Sequence, residues 1–123
     1  MTNPTRQQAF DALTAPGQAY EIETVEVRGQ RMRVFRNAPR SLRALYQQTA
    51  SDLPFIVHED ERIDFAQALG RAARIAQLLV SDFGVRKGDR VAISMRNYPE
   101  WILAFTAATS IGAIAVAMNS MWQ

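Results

Sequence analysis

The run Val91-Ala-Ile-Ser-Met95, followed by Asn97-Tyr-Pro-Glu100, the apolar stretch Trp101–Ser110, Gly112 and Ala113-Ile-Ala-Val-Ala-Met118, decides the fold class. The last segment is apolar at successive positions, so it has no solvent face, as expected of a strand inside a parallel sheet. Two parallel strands need a crossover, and the stretch from Trp101 to Ser110 has the length and composition to be that helix. Asn97 is expected to cap it, Pro99 to sit in its first turn and Glu100 to complement its dipole, with Gly112 ending it. Strand, helix and strand make an α/β layer.

Moving upstream, Gly84-Val-Arg-Lys-Gly-Asp-Arg90 reads as the loop into this unit. Before it lies the best helix of the chain. Asp64 and Gln67 have capping-box spacing, and Phe65, Leu69, Ala72, Ala76, Leu79 and Phe83 recur every three or four residues. Gly84 supplies the left-handed stop. Pro54-Phe-Ile-Val-His58 is a short apolar strand closed by the acidic turn Glu59-Asp60-Glu61-Arg62, and Ser41 caps a helix that continues to about Ala50. The reading is therefore strand, helix, strand, helix, strand: a parallel βαβ layer, α/β in class.

The first residues differ in character. Thr5 to Leu13 forms a short helix ended by Ala15-Pro16-Gly17. Tyr20–Val27 and Arg31–Arg36 then flank the turn Arg28-Gly29-Gln30, a β-hairpin with glutamates on one arm and arginines on the other. Opposite charges across such a ladder contribute roughly 0.2–1 kcal/mol per pair, which accounts for much of the run Arg28, Arg31, Arg33, Arg36, Arg40 and Arg43. The expected organisation is residues 1–37 as a helix and charged β-hairpin, and 38–123 as an incomplete α/β subdomain.

Composition removes several chemistries. The chain has 123 residues, 48% of them hydrophobic, and no cysteine, so disulfides, thiolate metal sites and cysteine nucleophiles are excluded. His58 is the one histidine, placed beside Glu59, Asp60 and Glu61 as an exposed imidazole without a neighbouring nucleophile. Thirteen arginines and the single Lys87 give a net charge of only +2. With no set of stacking aromatics beside the arginines, nucleic acid is not an expected partner. The uncharged stretch from Trp101 to Gln123 is bracketed by tryptophans, but its alanines, threonines and glycine leave little drive for a bilayer, so no transmembrane segment is expected. MTNPTRQQAF carries no secretory signal, which makes the cytoplasm the default location. Gly84 and Gly88 do not form a phosphate loop, because that device follows a strand and opens a helix. Asn97, where a parallel strand ends and a helix begins, stands where ligands gather in open α/β sheets, yet a capping role suffices to explain it.

Ala38-Pro-Arg-Ser-Leu-Arg43, Phe55 to Phe65, Gly84-Val-Arg-Lys-Gly-Asp-Arg-Val-Ala-Ile93, Asn97-Tyr-Pro-Glu-Trp101 and Gly112-Ala-Ile-Ala-Val-Ala-Met-Asn119 together resemble the opening of AMP-forming acyl-CoA synthetases, members of the adenylate-forming ligase superfamily. The resemblance covers about residues 35–123. Asp64 stands where the family usually has a threonine as cap, and Asn119-Ser-Met-Trp122 looks like the fatty-acyl or aryl-acid CoA ligase branch. The resemblance implies a partial N-terminal portion of the large domain of such a ligase. It also implies that the parent joins a carboxylic acid to ATP with Mg2+ present, and then passes the acyl group to coenzyme A. The family's phosphate loop and catalytic lysines match nothing here, Lys87 included. No catalytic, cofactor-binding or metal residue is therefore assigned, and the chain alone is expected to be inactive and to bind no cofactor. Its expected partners are the remainder of the parent chain and a second copy of itself. The rival reading from another class is a stand-alone, non-catalytic α/β module that self-associates. A weaker one is an arginine-rich polyanion binder.

Overall fold

A computed structural model describes residues 3–121; Trp122 of the Asn119–Trp122 motif lies outside them. The chain divides into two compact units, Met1–Arg40 and Ser41–Gln123. The fold is α/β, as the sequence implies.

In the first unit, helix α1 runs Arg6–Thr14 behind a capping box: Thr5 Oγ1 accepts from the Gln8 N–H, and Gln8 Oε1 accepts from the Thr5 N–H. Strands β1 (Ile22–Val27) and β2 (Gln30–Phe35) pair antiparallel. The register realises part of the charge ladder expected from the sequence. Glu26 stands opposite Arg31, and one step beyond the ladder, in the same register, Glu21 stands opposite Arg36, whose N–H donates to the Glu21 carbonyl at 2.9 Å; Glu23 faces Val34 and Thr24 faces Arg33. The ion pairs form at the base, where Arg36 Nη1 donates to Glu21 Oε1 at 2.7 Å and Arg36 Nε lies 3.9 Å from Glu23. The reason is geometric: the arms alternate charged and apolar residues, so the register that aligns their apolar positions does not align every charge.

The second unit begins with α2 (Leu42–Gln48), capped by Ser41 Oγ accepting from the Ala44 N–H at 3.1 Å. Strand β3 (Pro54–His58) follows, then β4 (Glu61–Asp64), α3 (Phe65–Ser81), β5 (Arg90–Ile93), α4 (Pro99–Ser110) and β6 (Ile114–Ala117). β5 and β6 are parallel, in register Arg90–Ile114 to Ile93–Ala117, so α4 is the crossover helix read from the sequence. Its carboxyl end turns at Gly112 (φ 78°), and the following Ala113 N–H returns to the Ala108 carbonyl at 3.0 Å.

Three expectations change. First, β3 does not join the parallel layer. It pairs antiparallel with β4, whose Glu61 and Arg62 take up half of the expected acidic turn. The turn is only Glu59-Asp60, and Ile56 meets Ile63 across the ladder, the latter fully buried. One apolar residue among Glu61, Arg62 and Asp64 is a weak strand signal, and the partner that buries it is visible only in the fold. Second, Phe83 leaves the buried stripe. α3 ends at Ser81, so Phe83 no longer follows the helical period and is 71% exposed. The buried residues of α3 are Ala68, Ala72 and Ala76. Third, the cap of α4 is Tyr98, whose side chain makes no capping bond, and Asn97 falls one position too early to reach the first turn. β6 pairs with β5 alone among the described residues, and Ile114 and Val116 remain exposed.

The core sits between α3 and α4. Ala72, Ala76 and Ala107 form one cluster, and Ile56, Ile63, Ala68 and Leu103 another; Ile75 packs on both. Tyr46 Oη and Thr109 Oγ1, 3.1 Å apart, tie α2 to α4. Among the described residues no helix is long and apolar enough to cross a membrane.

Two outcomes follow from these caps and ion pairs. Asp64 Oδ1 accepts from the Gln67 N–H at 2.6 Å, so Asp64→Ala lowers stability by about 1 kcal/mol. Asn97→Ala, with no cap to lose, stays within about 0.5 kcal/mol; thermal unfolding of the two variants distinguishes them. Glu21 is held below its ordinary value of 4.5 by the Gly17 N–H and by the Arg36 guanidinium. Its contribution to stability is present above that value and lost as the pH falls through the lowered one. Unfolding midpoints compared between neutral and acid solution show a smaller acid loss for Glu21→Gln.

Candidate functional site

The connection that leaves the carboxyl end of β5 is drawn tight before α4 begins. The Tyr98 N–H donates to the Arg96 carbonyl at 2.8 Å, and the Trp101 N–H to the Tyr98 carbonyl at 3.0 Å. Pro99, buried at the start of α4, has no N–H to leave unpaired. These restraints turn Tyr98 toward β3, where its ring meets His58 edge-on with centroids 5.6 Å apart. Together with Ile56, Asn97, Trp101 and Ile102 they line a cleft of about 320 Å³. Trp101 stacks on Phe105 one turn along α4, with centroids at 5.4 Å and planes 9° apart.

This cleft gathers two residues weighed separately in the sequence, His58 and Asn97. His58 is half-buried rather than exposed, because Tyr98 covers one edge of its ring. No sequence signal pointed to Tyr98 and Trp101 as its partners, since they lie some forty residues downstream and meet β3 only through the packing of α4. Chemically the cleft offers flat apolar surface, one imidazole and one amide. It contains no nucleophile with an adjacent base, so it can hold a group but shows no machinery to transform one.

The sites that could cradle phosphate are already satisfied. At the start of α3 the first N–H groups donate to the Leu53 and Ser51 carbonyls and to Asp64 Oδ1. α4 opens with Pro99 and the carboxylate of Glu100, which repels an anion at the position where a helix would attract one. The Gly84–Arg90 loop follows α3 and enters β5. Asp89 Oδ2 accepts from the Arg86 N–H at 2.7 Å, and the Gly88 N–H reaches the Gly112 carbonyl at 2.9 Å. Lys87 lays its methylenes over Gly112, where an added Cβ would come within 3.0 Å of Lys87 Cγ. The loop therefore joins the starts of β5 and β6. Among the described residues no group of three histidine or carboxylate side chains is placed to hold a metal ion.

Comparison with known proteins supplies what the cleft does not. The family model described as AMP-binding enzyme matches residues 42–123. The medium-chain acyl-CoA ligase ACSF2 of Rattus norvegicus is 38% identical over 68 residues, covering 55% of this chain and 11% of that protein. The long-chain-fatty-acid–CoA ligase FadD13 of Mycobacterium tuberculosis is 41% identical over 61 residues, covering 50% and 12%. The crystal structure of the N-terminal domain of FACL13 from the same organism aligns with a TM-score of 0.62 and 33% identity, over 67% of this chain and 22% of that one. The chain thus spans about a tenth of the length of the curated relatives it matches. With two-thirds of its residues inside the family model, and with β5, α4 and β6 in the order that the resemblance implied, the chain belongs to the AMP-binding enzyme family.

Proposed function

We propose that this chain is the N-terminal portion of an AMP-forming acid–CoA ligase. The parent would activate a carboxylic acid, fatty or aryl, with ATP to an acyl-adenylate and pass the acyl group to coenzyme A. The observation that carries this reading is the family match over residues 42–123; the names of the two ligase relatives supply its chemistry. A cytoplasmic location is part of the same proposal.

The chain's own residues are scaffold in this reaction. The start of α3 is filled by backbone carbonyls and by Asp64, and the Glu100 carboxylate opposes an anion at the start of α4, so the triphosphate and its Mg2+ do not fit here and no step of the transfer runs through these side chains. They hold β5 and β6 as a parallel pair to which the rest of the large domain adds. The test is pyrophosphate release with ATP, Mg2+ and a panel of fatty and aryl acids. The full-length parent releases pyrophosphate and then forms acyl-CoA, while the chain Met1–Gln123 stays at background. Turnover by the chain alone would overturn the assignment of its residues as scaffold, and an inactive parent would overturn the ligase reading.

A second reading, self-association of the chain in isolation, is favoured by β6. Ile114 is 48% and Val116 37% exposed on a strand with one paired edge among the described residues, and an open apolar edge recruits another chain. In light scattering at micromolar concentration the expected mass is that of a dimer, weakened by Val116→Lys. A stable monomer overturns it.

A further inference from the structure

The residues that the family model leaves out include the whole hairpin β1–β2. We propose that the tip of this hairpin docks the protein on an anionic lipid surface. The inference stands independently of the ligase reading.

Three features of the tip converge. The first is backbone strain. Arg28 and Gly29 form the two-residue turn with φ 51° and 77°. Positive φ at both central positions is the type I′ arrangement, whose first position favours asparagine, aspartate or glycine because a longer L side chain is crowded there. An arginine at that position points to a use for its guanidinium. The second feature is unspent charge. Arg36, at the base of the hairpin, is engaged by Glu21 and Glu23. Arg28, Arg31 and Arg33 have no carboxylate oxygen within 4.0 Å among the described residues, although Glu26 stands opposite Arg31 in the ladder. The formal excess of +2 lies entirely in Met1–Arg40, which holds six arginines against four carboxylates, while Ser41–Gln123 balances to zero. The third feature is apolar surface at the same place. Val27 and Met32, just behind the turn, are 42% and 48% exposed.

Strand alternation puts Val25, Val27, Met32 and Val34 on one face of the hairpin and Arg31 and Arg33 on the other, with Arg28 in the turn. Entered tip-first, such a hairpin sets Val27 and Met32 against the acyl boundary and lets Arg28 at the turn and Arg31 and Arg33 on the opposite face reach headgroup phosphates. A nucleic-acid strand is the poorer fit, because the tip carries no ring on which a base could stack.

The test is co-sedimentation of the chain with vesicles of equimolar phosphatidylglycerol and phosphatidylcholine, against phosphatidylcholine alone. The chain is expected to partition to the anionic vesicles and to be released as salt rises. Arg28→Gln, Arg31→Gln and Arg33→Gln combined should lower the partition about tenfold or more, each arginine being worth roughly fivefold near such a surface. Val27→Ser with Met32→Ser should weaken binding without changing the salt dependence. Arg28→Asn separates docking from folding: it relieves the turn, so the thermal midpoint rises while the partition falls. Equal binding to both vesicle types, unchanged partition in the triple variant, or losses of partition that track losses of thermal stability would each overturn the proposal. Arginine-dependent capture of an oligonucleotide without vesicle binding would overturn it as well.

Discussion

Helices can lie close together only where the side chains between them are small, and α3 and α4 meet through Ala72, Ala76 and Ala107, with hardly any of their surface left to water. Nearly everything else in the second unit follows from that seam. Because the helices are close, Ile75 reaches both halves of the core, and Leu103 can close over Ile56 and Ile63. That closure gives Ile63 a buried place, which in turn makes β4 a strand. The same seam fixes where α4 ends, and the Ala113 N–H returning to Ala108 then starts β6 beside β5. A larger residue at Ala107 would separate the helices and disturb each of these contacts together.

The first unit is organised by different forces. Among its described residues none is buried, so apolar area contributes little and the hairpin depends on its ladder, its turn and the Glu21–Arg36 pair. A two-stranded hairpin with exposed ion pairs is marginal in water. That makes a strained Arg28 at the turn more telling, since the unit has little stability with which to offset it. The two units therefore illustrate two ways of using charge. In the second, carboxylates such as Asp64 satisfy helix N–H groups; in the first, arginines at the tip are left without partners.

The functional assignment rests on a separation between framework and chemistry. Parallel strands joined by a crossover helix present their carboxyl ends as a place for ligands, and the cleft formed by His58, Tyr98 and Trp101 lies at such an end. It is nevertheless a surface without a nucleophile beside a base, the start of α3 is filled, and that of α4 carries the Glu100 carboxylate. Family membership follows from the match over residues 42–123 and not from this cleft, because a fold does not by itself specify a reaction.

Local rules were enough wherever one residue meets its own neighbourhood. Ser41 and Asp64 cap the helices as their residue types and spacing predicted, and Thr5, read as the first helical residue, does the same for α1, because a cap bonds within three residues. The uninterrupted apolar run after Gly112 announced a parallel strand, and the motifs around it announced the family. Tertiary structure decided what depends on a distant partner. β4 exists because Ile56 and α3 bury Ile63, His58 is half-covered because α4 brings Tyr98 to it, and Asn97 loses its cap because the tight turn at Arg96–Tyr98 starts the helix one residue later. Sequence alone determined the elements whose hydrogen bonds are local; packing between elements determined which short segments become strands and which side chains meet, because those free energies come from contacts that sequence distance does not encode.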